Sequence, residues 1–159
     1  RRGRAAGLID QVPANAPHLF ASEIERSAGK PLLSLIDVTL AEVKRRGWKA
    51  VGVFGFGDPN VPVYSVRLRA AGVRCETIDA ALQQRLNAAV IRIQEGRPTV
   101  EDAAVMRDAV GVLRGRGVDG VIPGCTEIPF LLGDAMQAAD LVNPAELLAE
   151  AAVRRVMVD

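Results

Sequence analysis

The hexapeptide Gly124-Cys-Thr-Glu-Ile-Pro129 sets a thiol, a hydroxyl and a carboxylate in consecutive positions behind the apolar run Val118–Pro123. An apolar run that stops at a glycine and gives way to polar groups reads as a parallel strand delivering side chains to its carboxyl-end loop, where open α/β sheets bind ligands. A free thiol ionises near pH ~8.5, and unpaired N–H groups at a helix N-terminus favour the thiolate. Cys125 is therefore a candidate reactive thiol. Thr126 and Glu127 are candidate substrate contacts, with capping of the following helix as their structural alternative. Cys125 has its own alternative as a small buried hydrophobe.

A second polar cluster lies upstream in Val12-Pro-Ala-Asn-Ala-Pro-His18. Asn15 either caps a helix or touches a ligand, and His18, the sole histidine, either hydrogen-bonds structurally or contacts substrate. Cys75 falls inside a strand-like segment without a polar cluster and reads as structural. Gly55-Phe-Gly-Asp-Pro59 has the glycines of a phosphate loop, but lacks the third glycine of a dinucleotide fingerprint and the Lys-Ser/Thr of a P-loop. Arg92 and Arg97 read as solvated helix-end charges, with ligand binding as the alternative, and Asp58 as a cap before Pro59.

The elements that must position these groups follow from periodicity and breakers. Short strands are predicted at Ala6–Pro13, Pro31–Leu33, Gly72–Glu76, Val118–Ile122 and Leu141–Val142, with a buried strand at Trp48–Phe56. Helices are predicted at Pro17–Ala28, Leu35–Arg46, Val63–Ala71, Asp79–Glu95, Thr99–Arg116 and Pro144–Arg155, with a turn or cap at Asp58-Pro-Asn60. The Thr99-x-x-Asp102 spacing marks a helix start in which Thr99 caps and Asp102 complements the dipole. Strands alternating with amphipathic helices predict an α/β fold with parallel sheet flanked by helices.

Composition narrows the partners. In 159 residues, 49% hydrophobic, there is material for a sizeable core, and 20 basic against 19 acidic residues give a net charge of +1. Neither a nucleic-acid stripe nor a membrane-attracting face is indicated, and a small anion or neutral ligand fits better. Two cysteines cannot make a disulfide framework, so a reducing, cytoplasmic location is expected. No apolar run is long enough to span a bilayer, and Arg1-Arg-Gly-Arg4 lacks the long apolar region of a signal peptide behind it. The opening on Arg1 rather than Met, with a strand-like segment a few residues on, leads us to expect a piece of a longer protein.

Gly124-Cys-Thr-Glu-Ile-Pro129 resembles the second cysteine signature of the aspartate/glutamate racemase superfamily. Val12-Pro-Ala-Asn-Ala-Pro-His18 resembles the first, usually Cys-Asn-Thr-Ala-His, and Tyr64, the helix pair around Gly96 and Leu141-Val-Asn-Pro-Ala-Glu146 fall where family members carry corresponding elements. The likeness covers nearly the whole chain. It implies two pseudo-symmetric α/β lobes with a cysteine from each on opposite sides of a substrate α-carbon, no pyridoxal phosphate or metal, and a homodimer. Residues 37–136 would form the second lobe, carrying Cys125, and residues 1–36 with 137–159 the remainder of an incomplete first lobe. Inversion at an α-carbon needs a base on one face and an acid on the other, which is why two thiols recur.

This chain departs from that pattern at named positions. Ala14 stands at the first cysteine and Ala16 at the usual threonine, while Gly55 and Asp58 replace the two threonines of an Ala-Thr-x-x-Thr segment. Gln94 falls near a family lysine that reads a second carboxylate, and Asn143 where an aspartate is common. The resemblance implies a cofactor-independent, racemase-like isomerase using Cys125 as acid/base at the α-carbon of a small carboxylate or amino acid. Asn15, Ala16, His18, Thr126 and Glu127 would hold the substrate. The alternatives are a family member that only binds a carboxylate, and a one-cysteine enzyme of the decarboxylase type.

Overall fold

The computed structural model describes residues 10–57 and 63–158. Asp10–Gln11 (β1) and Leu32–Leu33 (β2) pair in parallel, with Asp10 opposite Leu32. The helix predicted from Pro17 is split in two, a tight 3-10 turn over Ala16–Phe20 followed by α1 (Ala21–Ala28). Phe20, at φ −113° and ψ 25°, leaves the helical region and breaks the hydrogen-bond ladder between them. Gly29 ends α1 at φ 65°, a left-handed conformation open to glycine at little cost, and its N–H bonds the Glu25 carbonyl at 2.9 Å.

The remaining elements alternate as predicted: α2 (Leu35–Arg45), β3 (Ala50–Phe54), α3 (Ser65–Ala70), β4 (Arg74–Glu76), α4 (Ala80–Gln94), α5 (Val100–Gly115), β5 (Gly120–Pro123), α6 (Ile128–Leu132) and α7 (Pro144–Val158). A second 3-10 turn, Gly133–Gln137, follows α6. The sheet is three parallel strands ordered β4-β3-β5, with Val51 opposite both Cys75 and Gly120, and Phe54 opposite Pro123. Leu141 adds a parallel bridge to Val121, which is what the predicted Leu141–Val142 strand becomes.

Side chains of a strand alternate between faces, so the sheet holds two cores. Phe54 and Val121 point into one, filled by Leu86 and Val90 of α4, Met106 and Leu113 of α5, and Ile128 of α6. Val51 and Ile122 point into the other, filled by Leu35 and Val43 of α2, Leu68 of α3 and Leu148 of α7. Each such aliphatic contributes roughly 1.5–3 kcal/mol on burial, so both helix layers are held by the strands that end at the site.

Three local devices set where those strands begin and end. Asp119 accepts the N–H groups of Lys49 at 2.6 Å and Ala50 at 2.9 Å, clamping the start of β3 beside β5. Trp48, predicted as strand, instead covers Gly120, where a Cβ would lie 2.2 Å from its ring carbons, and carries the Arg46 guanidinium 5.0 Å from its centroid. The capping box is present as read, with Thr99 accepting from the Asp102 N–H and Asp102 from the Thr99 N–H. Asp102 does more than cap, since it is fully buried and takes a forked pair of bonds from Arg92 that ties α4 to α5. Arg92 is therefore a part-exposed charge committed to Asp102, while Arg97 pairs at the surface with Glu95.

The predicted cap at Asp58-Pro-Asn60 and the first residues of the strand predicted from Ala6 lie outside the described residues. Among the described residues no helix is long and apolar enough to cross a membrane.

Candidate active site

The carboxyl ends of β3 and β5 are stapled together. The Gly124 N–H bonds the Phe54 carbonyl at 2.7 Å, and a Cβ on Gly55 would come within 2.9 Å of the Gly124 carbonyl oxygen, so backbone meets backbone there. The glycine at position 55 thus serves a close approach, and a threonine would not fit without moving the strand ends.

Beyond Gly124 the chain turns through Cys125-Thr-Glu127 into α6. Glu127 occupies the N-cap position but makes no side-chain cap bond, which corrects the capping alternative for this residue. Its backbone is already helical, at φ −78° and ψ −28°, and its carboxylate folds back over the turn instead. There the Cys125 thiol donates to Oε2 at 2.9 Å, the Thr126 hydroxyl donates to the same oxygen at 3.0 Å, and the Gln94 amide donates to Oε1 at 2.9 Å. Gln94 ends α4, so that helix and the turn after β5 share one anion.

Electrostatics follow from that geometry. Burial pushes the Cys125 thiol up, the Glu127 carboxylate pushes it further, and the N–H groups of Glu127 and Phe56 oppose them, leaving it at about 11. This overturns the expectation of a thiol tuned toward neutrality by backbone dipoles. α6 is five residues long, and a full negative charge at hydrogen-bond distance outweighs its partial charges. Burial also raises Glu127, but the donors Cys125, Gln94 and Thr126 outweigh it and hold the carboxyl below its usual range. At neutral pH the pair is a neutral thiol on an ionised carboxylate.

The upstream cluster meets the same region from the other side. Asn15 starts the 3-10 turn without capping it; its Oδ1 accepts from the Tyr64 hydroxyl at 2.6 Å. Burial holds that hydroxyl protonated, well above its usual range. Asn15 and Ala16 form one wall of a cavity of about 340 Å³ whose other walls include Gly55, Phe56, Tyr64 and Gly124. Cys125 follows Gly124 in the chain without lining the cavity itself, as do Thr126 and Glu127, and its sulfur faces the Phe56 N–H. His18 is not part of the lining. Its Nε2 bonds the Val12 carbonyl at 3.1 Å and pins the loop that presents Asn15.

Of the remaining candidates, Cys75 is half-buried on the cavity wall with its thiol pushed up by burial, consistent with an unreactive group. Asn143 accepts from the Ala145 N–H at 3.1 Å and so starts α7. Gln83 was missed. It is 4% exposed and bonds the Gly55 carbonyl at 2.7 Å and Asn87 Oδ1 at 2.8 Å. The signal available was two amides four residues apart on the buried stripe of a helix.

The family model described as Asp/Glu/Hydantoin racemase matches residues 8–152. The chain belongs to this family. Solved structures extend the likeness to the fold: an Asp/Glu racemase candidate from Yersinia pestis superposes with a TM-score of 0.81 at 26% identity, over 92% of this chain and 65% of that one. An aspartate racemase homologue from Pyrococcus horikoshii gives 0.72 at 24%, over 90% and 66%. A glutamate racemase from Francisella tularensis, solved with D-glutamate, gives 0.68 at 16%, over 94% and 57%. The chain thus spans less than two thirds of the length of each of these structures. Within this Asp/Glu/hydantoin racemase family member, the loop after β5 supplies a thiol while the loop around Asn15 supplies Ala14, which has no transferable proton.

Proposed function

We propose that this protein transfers a proton at the α-carbon of a small amino acid or related carboxylate, without a cofactor, through Cys125 backed by Glu127. The observation that carries the reading is the 2.9 Å thiol-to-carboxylate bond. Glu127 takes the thiol proton as the sulfur takes the α-proton, so the pair gains the one proton the substrate loses, and it gives that proton back when the carbanion is reprotonated. Asn15, whose oxygen is engaged by Tyr64, keeps its amide N–H groups for the substrate carboxylate beside Ala16, with Thr126 on the adjoining turn. With Ala14 on the opposite side, the chemistry is one-faced: α-hydrogen exchange outpaces inversion.

A second reading is favoured by the thiol's resting state. A thiol held at about 11 is a proton donor first, which suits one-sided protonation of a carbanion left by loss of carbon dioxide. Our wider reading places residues 37–136 in one lobe and 1–36 with 137–159 in the other, in a cytoplasmic homodimer whose cleft holds the substrate.

The deciding measurement is α-deuterium uptake in deuterated water by a panel of small amino acids and carboxylates, native against Cys125→Ser. Uptake that disappears in the variant is expected. Uptake equal in both, or none with any member of the panel, overturns the assignment of Cys125.

A further inference from the structure

The cavity beside Cys125 carries chemistry of its own. It is lined largely by Leu19, Val53, Phe54, Phe56 and Tyr64, and no Lys, Arg, Asp or Glu lines it among the described residues. Neighbouring groups that could have answered a second carboxylate are committed elsewhere: Arg92 to Asp102, and the Gln94 amide to Glu127. A second carboxylate entering here would lose its hydration against apolar walls with no cation to replace it.

One polar atom in the cavity lining is unanswered. Gln83 is almost fully buried, its Nε2 is spent on Gly55 and Asn87, and its Oε1 is buried without a partner. Reversing the amide would aim Nε2 at nothing and set Oε1 against the Gly55 carbonyl and Asn87 Oδ1, so the hydrogen-bond pattern fixes the acceptor as the free group. A buried acceptor left unpaired is costly, and one carried by a residue that lines a ligand-sized cavity is a candidate recognition group for a ligand donor that reaches beneath the lining. The hydroxyl-bearing Ser65 and Thr77 line the same cavity and can donate.

We infer that Gln83 selects a neutral carboxamide group on the ligand, its N–H donated to Gln83 Oε1 and its C=O met by the Ser65 or Thr77 hydroxyl. The inference rests on the proton-transfer reading for which cleft is used, and names the substrate class within it: carboxamide side groups rather than carboxylate ones. A site built to bond a donor rejects isosteres that lack it more sharply than an apolar pocket rejects a missing methylene.

Calorimetric titration with asparagine, aspartate and leucine tests this, because the three side groups share a branched shape and differ in donor and charge. Asparagine is expected to bind at least tenfold more tightly than either other ligand, in the native protein and in Cys125→Ser. Gln83→Met should bring asparagine and leucine within twofold of each other. Aspartate or leucine binding as tightly as asparagine, a preference that survives Gln83→Met, or no binding by any of the three overturns the inference. The native comparison stands by itself should Gln83→Met not fold. Binding in Cys125→Ser separates this outcome from loss of proton exchange, which tests the thiol alone.

Discussion

Cys125 and Glu127 form a thiol-to-carboxylate hydrogen bond of 2.9 Å across a single intervening residue; burial first and that bond second keep the thiol protonated, and the bond helps keep the acid ionised. Its first consequence is chemical. In a Cys75→Ala background, alkylation of Cys125 by iodoacetamide should rise with a midpoint at about pH 11, well above a free thiol. Glu127→Gln removes the charge and should lower that midpoint by about one pH unit. A midpoint near that of free cysteine, unmoved by the variant, would contradict the pairing.

Burial of Cys125, with that bond second, makes stability depend on pH. Cys125 is raised in the folded protein from 9.0 to about 11, so its contribution is fully present below pH 9 and is lost as pH rises through 11. Discounted for partial exposure, the loss is about 2 kcal/mol. Urea midpoints between pH 8 and 11.5 should fall more steeply for the native protein than for Cys125→Ala.

Ala14→Cys should restore a proton donor on the opposite face. Racemisation followed by chiral chromatography is expected to rise at least tenfold relative to deuterium exchange, which itself stays within a few-fold. Unchanged stereochemical outcome would show that residue 14 does not face the reacting carbon.

Gly55→Thr, which brings in the threonine that the family resemblance leads one to expect there, should harm this protein. Its Cβ would meet the Gly124 backbone at 2.9 Å, and separating the strand ends costs about 1–3 kcal/mol of stability by urea denaturation, with a fall in exchange activity as the Cys125 loop shifts.

Gly120→Ala drives a Cβ to 2.2 Å from the Trp48 ring and should destabilise by about 1–3 kcal/mol. Trp48→Ala opens that space. In the double variant the Gly120→Ala penalty should shrink below about 0.5 kcal/mol, whereas simple additivity would mean the two residues do not meet.

Much of the fold was legible because it rests on local chemistry. Alternation of apolar strands and amphipathic helices gave the parallel α/β architecture, and Thr99 with Asp102 marked a capping box that is present as read. What escaped depends on partners distant in sequence. Arg92 looks like a surface charge until α5 brings Asp102 beneath it, and Gly55 looks like a lost hydroxyl until Gly124 arrives 69 residues later. Within the site, Cys125 was read as a candidate from its place behind the apolar run. The direction of its titration was not, because Glu127 was assigned to the helix it precedes and instead turns back upon the thiol.

Gln83 and Gln94 ride on one helix, α4, eleven residues apart. At ~1.5 Å per residue that is a rigid ruler of roughly 16 Å, with one mark in the cavity lining and the other beside the carboxylate that governs the thiol. Pocket and thiol–carboxylate pair are therefore not independently adjustable. A residue inserted between the two marks would swing one amide about 100° around the axis relative to the other, so this family member can change what it admits or how it ionises only by substitution in place, never by lengthening α4.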